Sequence, residues 1–183
     1  MTNSLCDRFI FRCHYARLVK SSDRPKCSDK WSKELNTEVD VKEVFGRIFK
    51  TTYDSCLRWF QYKLLYRLLP TGFFFFGGGT IVDSPRCPFC NQADETLLHM
   101  FWDCLKTRNF WLHVQSWIHT NFTHCDNLTF TTEFIIIVSK IHIVTDRILD
   151  LFTLMAKHHI FTAKIQGTTP HLNTLIMKIK SRF

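Results

Sequence analysis

Apolar residues recur at helical spacing along most of this chain. Those at positions 41–49 follow Asp40, which together with Glu43 matches the pattern of a capped helix start. A second apolar stripe occupies residues 53–69 and stops at Pro70, a residue that ends helices. The same period returns in residues 109–122, 146–165 and 172–179. We therefore predict a mainly α fold of five or six helices.

Three stretches depart from this period. Residues 1–30 are basic and irregular, with Arg24-Pro25 as a breaker. Residues 72–79, GFFFFGGG, fit neither a helix nor a strand pattern, and a short β-hairpin near residues 73–90 is left open. Residues 134–138, FIIIV, are rich in β-formers but form only a short run. The chain divides into a basic irregular tail (1–30), a helical segment (31–72), a Phe/Gly-rich connector (73–86), a segment with a Cys/His motif (87–112) and a C-terminal helical segment (113–183).

Four residues within this pattern carry metal-binding chemistry. Cys87, Cys90, His99 and Cys104 form C-x2-C-x8-H-x4-C. Two cysteines two residues apart can direct both sulfurs at one ion, and three thiolates with one imidazole suit zinc. Four protein ligands leave no position for a substrate, so we predict one structural Zn2+ in a Cys3His knuckle. The alternative is four unconnected buried residues, because cysteine is often a small core residue.

The sequence of the segment that contains His99 indicates the start of a helix. Asp94 and Glu95 place acids in the first turn, ahead of an apolar run. A regular helix cannot bring both His99 and Cys104 to one ion, because five residues turn through about 500°. The helix must either end near Trp102 or distort so that Cys104 reaches the metal.

Composition and charge indicate a type of partner. The 183 residues are 45% hydrophobic and carry a formal net charge of +8, with a pI of about 9.2. Such a balance favours RNA, single-stranded DNA or another polyanion, although solvated lysines are the more common cause of basicity. The remaining cysteines lack a disulfide framework, and no stretch reaches the roughly 20 apolar residues of a membrane span. We expect an intracellular protein of the nucleus or cytoplasm that is not secreted and has no membrane partner.

One helix offers a candidate nucleic-acid face. Its cations and aromatic side chains alternate at spacings that would place them side by side: Arg58, Tyr62, Lys63, Tyr66 and Arg67. Cations can neutralise phosphates while aromatic rings stack on bases. The alternative is that the cations are solvated and the aromatic rings complete the core.

Other histidines and cysteines are weaker candidates for a metal. Adjacent His158 and His159 point in different directions on a helix, which indicates satisfied or exposed side chains and not a second site. Four further residues lack a C-x2-C partner and rank below the main motif: His113, His119, His124 and Cys125.

Several motifs together resemble one known family. They are residues 57–70 (LRWFQYKLLYRLLP), 87–90 (CPFC), 95–104 (ETLLHMFWDC) and 110–111 (FW). The chain is similar over about residues 24–180, and most specifically over 53–112, to the zinc-binding region after the polymerase in reverse transcriptases of non-LTR (LINE-type) retrotransposons. The resemblance implies a zinc-stabilised, mainly helical module that helps hold RNA or DNA during target-primed reverse transcription. It assigns the zinc to Cys87, Cys90, His99 and Cys104.

The chain departs from that family in what it lacks. It has no Tyr-x-Asp-Asp motif and no endonuclease, so we expect a fragment that binds nucleic acid without catalysis and is not an enzyme. Two alternatives stay open. One is a zinc-stapled structural or protein-interaction module that docks on a polymerase domain or another partner. The other is an inert fragment of a degenerate retrotransposon.

Overall fold

The fold is mainly helical, as the apolar pattern predicts. A computed structural model describes residues 25–72, 84–122, 129–137 and 146–181. Within these ranges it contains seven α-helices, one π-helical turn and no strand. The elements are α1 (Lys26–Leu35), α2 (Val41–Thr51), α3 (Ser55–Leu65), the π-helical turn (His99–Asp103), α4 (Leu105–Asn121), α5 (Thr132–Ile137), α6 (Asp146–Ile165) and α7 (Leu172–Lys180).

Aspartate side chains begin two of these helices. Asp40 accepts hydrogen bonds from the backbone N–H groups of Lys42 (2.8 Å) and Glu43 (3.4 Å), which confirms the predicted cap of α2. Asp54 caps α3 in the same way. Such caps satisfy N–H groups that have no partner within the helix, and each contributes about 1 kcal/mol. Helix α3 ends at Leu65, before the predicted residue 69, and Arg67 follows with a φ of 58°.

Helix α1 lies partly inside the stretch that the sequence predicts to be irregular. It begins at Lys26, directly after Pro25, which occupies the N-cap position with a φ of −64°. A proline at a helix start is favourable, because its fixed φ is suited to the helix and its missing N–H is not needed there. Arg24-Pro25 therefore precedes a helix start and does not act as a break.

Residues 132–137 form helix α5, although the isoleucine run within them is rich in β-formers. Ile135 and Ile136 are fully buried, and the Ile136 carbonyl accepts a hydrogen bond from Gln61 Nε2 at 3.2 Å. Burial and this contact with α3 outweigh a local strand preference, which is weak and depends on context.

A buried apolar core joins α1, α2, α3, α4 and α6. The Trp31 side chain is fully buried, and its indole N–H donates to the Leu65 carbonyl at 2.8 Å, which joins α1 to the end of α3. Phe101, from the π-helical turn, lies edge-on to Phe60 of α3 with a centroid distance of 6.1 Å. We call the packed helices α1, α2, α3, α4 and α6 the helical body. The predicted metal motif therefore packs directly on this body.

A lysine side chain lies inside that body. Lys157 of α6 is completely buried, and its ammonium group donates to Gln61 Oε1 at 2.7 Å. Burial lowers the pKa of Lys157 to about 7, and the charge of Asp150 opposes this shift only in part. Through Gln61, this contact links α6, α3 and α5.

The Phe/Gly run at 73–79 lies outside the described residues. Of the hairpin left open near residues 73–90, the described part contains one isolated antiparallel bridge between Arg86 and Asp94. Among the described helices, none is long and apolar enough to cross a membrane.

Candidate metal centre

Cys87, Cys90, His99 and Cys104 converge on one point. Their ligand atoms all lie within 4.8 Å of one another. Within the cluster, Cys87 Sγ lies 3.9 Å from Cys104 Sγ, and Cys90 Sγ lies 3.3 Å from His99 Nε2. Among the described residues, no second group of this kind occurs. The four side chains could therefore hold a metal ion.

A tight backbone turn places the first two cysteines. The Cys87 N–H donates to the Ala93 carbonyl, and the Asn91 N–H donates back to the Cys87 carbonyl, both at 2.8 Å. Asn91 has a φ of 55°, in the left-handed region that asparagine tolerates better than most residues. The Arg86–Asp94 bridge closes the base of this turn. Two thiols from one short loop consequently face the same side.

A π-helical turn places the other two ligands. The Cys104 N–H donates to the His99 carbonyl at 2.9 Å, five residues back instead of four. This wider turn is the distortion that the sequence left as one of two alternatives, and it brings Cys104 within reach of the cluster. Two side chains of α4 form hydrogen bonds to backbone carbonyls of the turn. Thr107 Oγ1 donates to the Met100 carbonyl (2.9 Å), and Trp111 Nε1 donates to the Phe101 carbonyl (2.7 Å).

The electrostatic environment differs among the thiols. Burial raises the pKa of Cys87 to about 12, so this fully buried thiol stays protonated unless a cation lies beside it. At Cys90 burial also raises the pKa, but the backbone N–H groups of Gln92 and Ala93 and the His99 side chain outweigh it and lower the pKa to about 6. A bound cation would stabilise both thiolates, because metal binding displaces thiol protons.

We call residues 87–104 the knuckle. A buried carboxylate joins it to the helical body. Glu95 is 2% exposed and lies 2.7 Å from the ammonium group of Lys164 on α6, and it also accepts a hydrogen bond from the Gly72 N–H. Lys164 donates in addition to the Pro70 carbonyl at 2.6 Å. Three chain segments therefore meet at this ion pair.

The sequence assigned Glu95 to the first turn of a helix. Its partner Lys164 is distant in sequence, so no local pattern could have indicated the ion pair. A Cβ at Gly72 would lie 3.1 Å from the Pro85 carbonyl oxygen, so any larger residue there would require this backbone segment to shift.

Two predicted nucleic-acid contacts make internal bonds. Arg58 donates to the carbonyls of Thr52 (2.6 Å) and Phe49 (2.9 Å) and so satisfies the end of α2. Arg67 forms a two-point ion pair with Glu34 at 2.8 and 2.9 Å, and its guanidinium lies over the Trp31 ring at 4.5 Å. Both cations are half-buried, and both stabilise contacts between helices.

The two predicted tyrosines form part of an aromatic stack. Tyr62 is buried and lies between the rings of Trp59 (centroid distance 5.2 Å) and Tyr66 (4.6 Å). Burial raises the pKa of both tyrosines. Lys63 is half-buried with its ammonium group 5.4 Å from the Trp59 ring. In this arrangement the ring of Tyr62 is stacked against Trp59 and Tyr66 and offers no open face to a base.

The sequence analysis missed a set of exposed cations on α1. Lys26, Lys30 and Lys33 are all exposed, and their spacing of four and three residues puts them on one side of the helix. Trp31 and Leu35 face the core from the other side. The spacing of these lysines indicates a common face only if the segment is helical, and Pro25 at its start is also a typical helix breaker. We call these three residues the α1 lysine stripe.

The alternative histidines do not join the cluster. His159 is buried, and its Nε2 accepts a hydrogen bond from the His171 N–H at 3.3 Å, so it is the satisfied histidine that the sequence favoured. The His158 ring packs edge-on against Phe60. His113 and His119 belong to no metal-binding group of described residues, while His124 and Cys125 lie outside the described residues.

No protein-family model, curated protein or solved structure matches this chain. The functional assignment below therefore depends on the residues of the chain itself and on the motif resemblance that they carry.

Proposed function

We propose that this chain is a zinc-stabilised module that binds RNA or single-stranded DNA without catalysing a reaction. The observation that carries the proposal is the convergence of Cys87, Cys90, His99 and Cys104, the four residues of the C-x2-C-x8-H-x4-C motif. The likeness of the surrounding motifs to the zinc-binding region of LINE-type reverse transcriptases supports the nucleic-acid part.

The choice of zinc rests on ligand chemistry and size. Tetrahedral zinc with bonds of about 2.3 Å to sulfur and 2.0–2.1 Å to nitrogen separates two sulfurs by roughly 3.8 Å, and a sulfur from a nitrogen by roughly 3.5 Å. The observed separations, 3.9 Å between the Cys87 and Cys104 sulfurs and 3.3 Å between Cys90 Sγ and His99 Nε2, are close to these values. Four protein ligands would fill the coordination sphere, so the ion would have a structural role.

The α1 lysine stripe and Lys63 are the strongest candidates for phosphate contacts. Their ammonium groups are exposed or half-buried, whereas Arg58 and Arg67 already donate to carbonyl and carboxylate oxygens. The net charge of +8 supports a polyanionic partner. The proposal thus keeps the predicted ligand class and moves most of the contact surface from α3 to α1.

The metal assignment is tested by metal content. Protein purified under reducing conditions should contain one zinc per chain, and Cys90→Ser should lose most of it. Cys56→Ser is the matched control, because Cys56 is exposed and outside the cluster. Retention of full zinc by Cys90→Ser, or equal loss in both variants, would exclude this site.

The nucleic-acid assignment is tested by a salt titration of RNA and single-stranded DNA binding. The logarithm of affinity should fall linearly with the logarithm of salt concentration. Lys30→Glu with Lys33→Glu should weaken binding and reduce the slope by roughly 1.4, the value expected for two lost contacts to a single strand. Lys50→Glu, an exposed position on α2, is the control, and Lys63→Glu tests α3 separately. Absence of binding at low salt would reject the nucleic-acid function while leaving the zinc assignment intact.

One observation favours the protein-interaction alternative. Leu105 and Leu112 are 62% and 58% exposed and are spaced seven residues apart on α4, so they lie on one side of that helix. A partner such as a polymerase domain could bury them. Association that is insensitive to salt and is lost in Leu105→Ser with Leu112→Ser would favour this alternative.

A further inference from the structure

A cavity lies between α3, α6 and α7, and none of the four candidate metal ligands lines it. This cavity has a volume of about 270 Å³. Basic, hydroxyl and apolar side chains line it. The polar members are His158, His159, Thr162, Lys178 and Ser181. No carboxylate of the described residues lines it. The volume is below the usual range for drug-sized ligands, so the cavity suits a small group.

The hydrogen bonds of His159 fix the position of its proton. The ring is 4% exposed, and its Nε2 accepts a hydrogen bond from the His171 backbone N–H. A neutral imidazole has one accepting and one donating nitrogen, so the proton belongs on Nδ1. Burial, reinforced by the nearby charge of Lys178, lowers the pKa of His159 to about 4, which keeps the ring neutral near pH 7.

The donating nitrogen of His159 faces another donor. Lys178 Nζ lies 3.3 Å from His159 Nδ1, and an ammonium group has three N–H bonds and no accepting atom. Within the part of the chain that the structure describes, no carboxylate forms an ion pair with Lys178. Two donors that face each other at the wall of a cavity are both satisfied by a single anionic acceptor that each can reach.

The hydroxyl groups of the cavity can contribute further donors. Thr162 Oγ1 donates to the His158 carbonyl at 2.8 Å, and Ser181 Oγ donates to the Lys178 carbonyl at 2.9 Å. A hydroxyl hydrogen rotates freely about its bond, so either group can donate to an anion instead. Three strong acceptor oxygens on one phosphate group match several such donors at once.

We propose that this cavity binds a phosphate group, held by Lys178 and by the Nδ1–H of His159. The group could belong to free phosphate or to a nucleoside monophosphate, and both present the same oxygens. Binding here is separate from the contact of nucleic acid with the α1 lysine stripe. Either proposal can therefore fail without the other.

The test measures binding of inorganic phosphate to the intact, metal-loaded chain. The ring nitrogen resonances of His159 are the readout of binding. Phosphate, compared with chloride at equal ionic strength, should shift the Nδ1 signal in a saturable way. Lys178→Gln should weaken phosphate binding about tenfold or more, since a charge-assisted contact is lost. Lys180→Gln is the matched control, because Lys180 is exposed on the same helix and does not line the cavity.

Three results would overturn the proposal. They are a His159 signal that does not respond to phosphate, a response that chloride reproduces, and equal weakening in Lys178→Gln and Lys180→Gln. A nucleoside monophosphate that binds more tightly than phosphate would identify a nucleotide as the ligand, and equal affinity would identify the free ion. Both of those results support the site.

Discussion

The knuckle and the helical body are stabilised in different ways. In the body, apolar side chains such as Ile48, Leu57 and Leu64 are almost completely removed from water. In the knuckle, residues 91–94 are all exposed, and the buried groups include the Cys87 thiol and the Glu95 carboxylate beside the apolar side chains of Leu97 and Phe101. Burial of apolar surface is favourable by itself, whereas burial of a thiol or carboxylate needs a partner charge. The body can therefore fold by its own packing, whereas the proposed zinc and the Glu95–Lys164 ion pair would add to the stability of the knuckle.

Removal of the metal should produce the largest effect. Structural zinc supplies about 10–16 kcal/mol in small metal-dependent domains. Even part of this amount, at about 2–4 °C per kcal/mol for a chain of this size, lowers the Tm by roughly 10 °C or more. We expect chelation to disorder the knuckle first and to leave most of the helical circular dichroism at low temperature. Thermal scans with and without chelator measure the loss.

Cys104→Ser removes one of the four candidate metal ligands, so its effect should resemble that of chelation. It should lower the Tm by a similar amount and make the protein insensitive to further chelator. An unchanged Tm in chelator would show that the knuckle, like the body, is stabilised by packing alone, and the contrast between the two regions would disappear.

Loss of the Glu95–Lys164 ion pair should produce the next largest effect. Removing one partner of a buried pair costs about 3–5 kcal/mol, because the other charge is left uncompensated. We expect Glu95→Gln to be destabilising by about this amount in urea unfolding, while Asp94→Asn, an exposed neighbour, changes little. Adding Lys164→Met to Glu95→Gln should recover part of the loss. Equal small effects at Glu95 and Asp94 would mean that the pair does not connect the knuckle to the body.

The buried Lys157 should make the stability of the body depend on pH. Its pKa is about 7 in the folded protein and about 10.5 when exposed, so between these values the unfolded chain binds more protons. The free energy of unfolding should therefore rise with pH from about 7 to 9, by at most roughly 1.4 kcal/mol per pH unit from this group. Urea titrations of wild type and Lys157→Met at pH 7, 8 and 9 measure the difference.

Lys157→Met has a similar shape and cannot titrate, so its stability should vary less over this range. Lys180→Met, an exposed position, should retain the wild-type dependence. If Lys157→Met and wild type follow parallel curves, the lysine is charged in the folded state and another group must compensate it.

The helical body was largely predictable because its signals are local. Helix α6 has the predicted bounds, and Asp40 caps α2 as its position before an apolar stripe indicates. The four members of the metal cluster were equally readable, since ligand type and spacing carry the information. Both cases need only residues that are close together in the sequence.

The features that the sequence did not reveal depend on distant partners. Helix α5 forms where an isoleucine run favours a strand, because Ile135 and Ile136 are buried within the body. The Glu95–Lys164 pair and the contact of Arg58 with the end of α2 exist only after helices have packed. The lysines of α1 share a face only because a helix begins after Pro25, and a proline can mark either the start or the end of a helix.

The five-residue hydrogen bond from Cys104 to His99 also makes the motif spacing intolerant of change. Cys104 ends the π-helical turn with extended backbone angles (φ −62°, ψ 127°) and is the N-cap of α4, so a deletion between His99 and Cys104 would shorten the segment that leads into α4. Phe110 and Trp111, which are buried on α4, hold that helix against the core, so Cys104 could not keep its place in the cluster without displacing them. The gap of four residues between the histidine and the last cysteine is thus tied to the position of the 17-residue helix that follows.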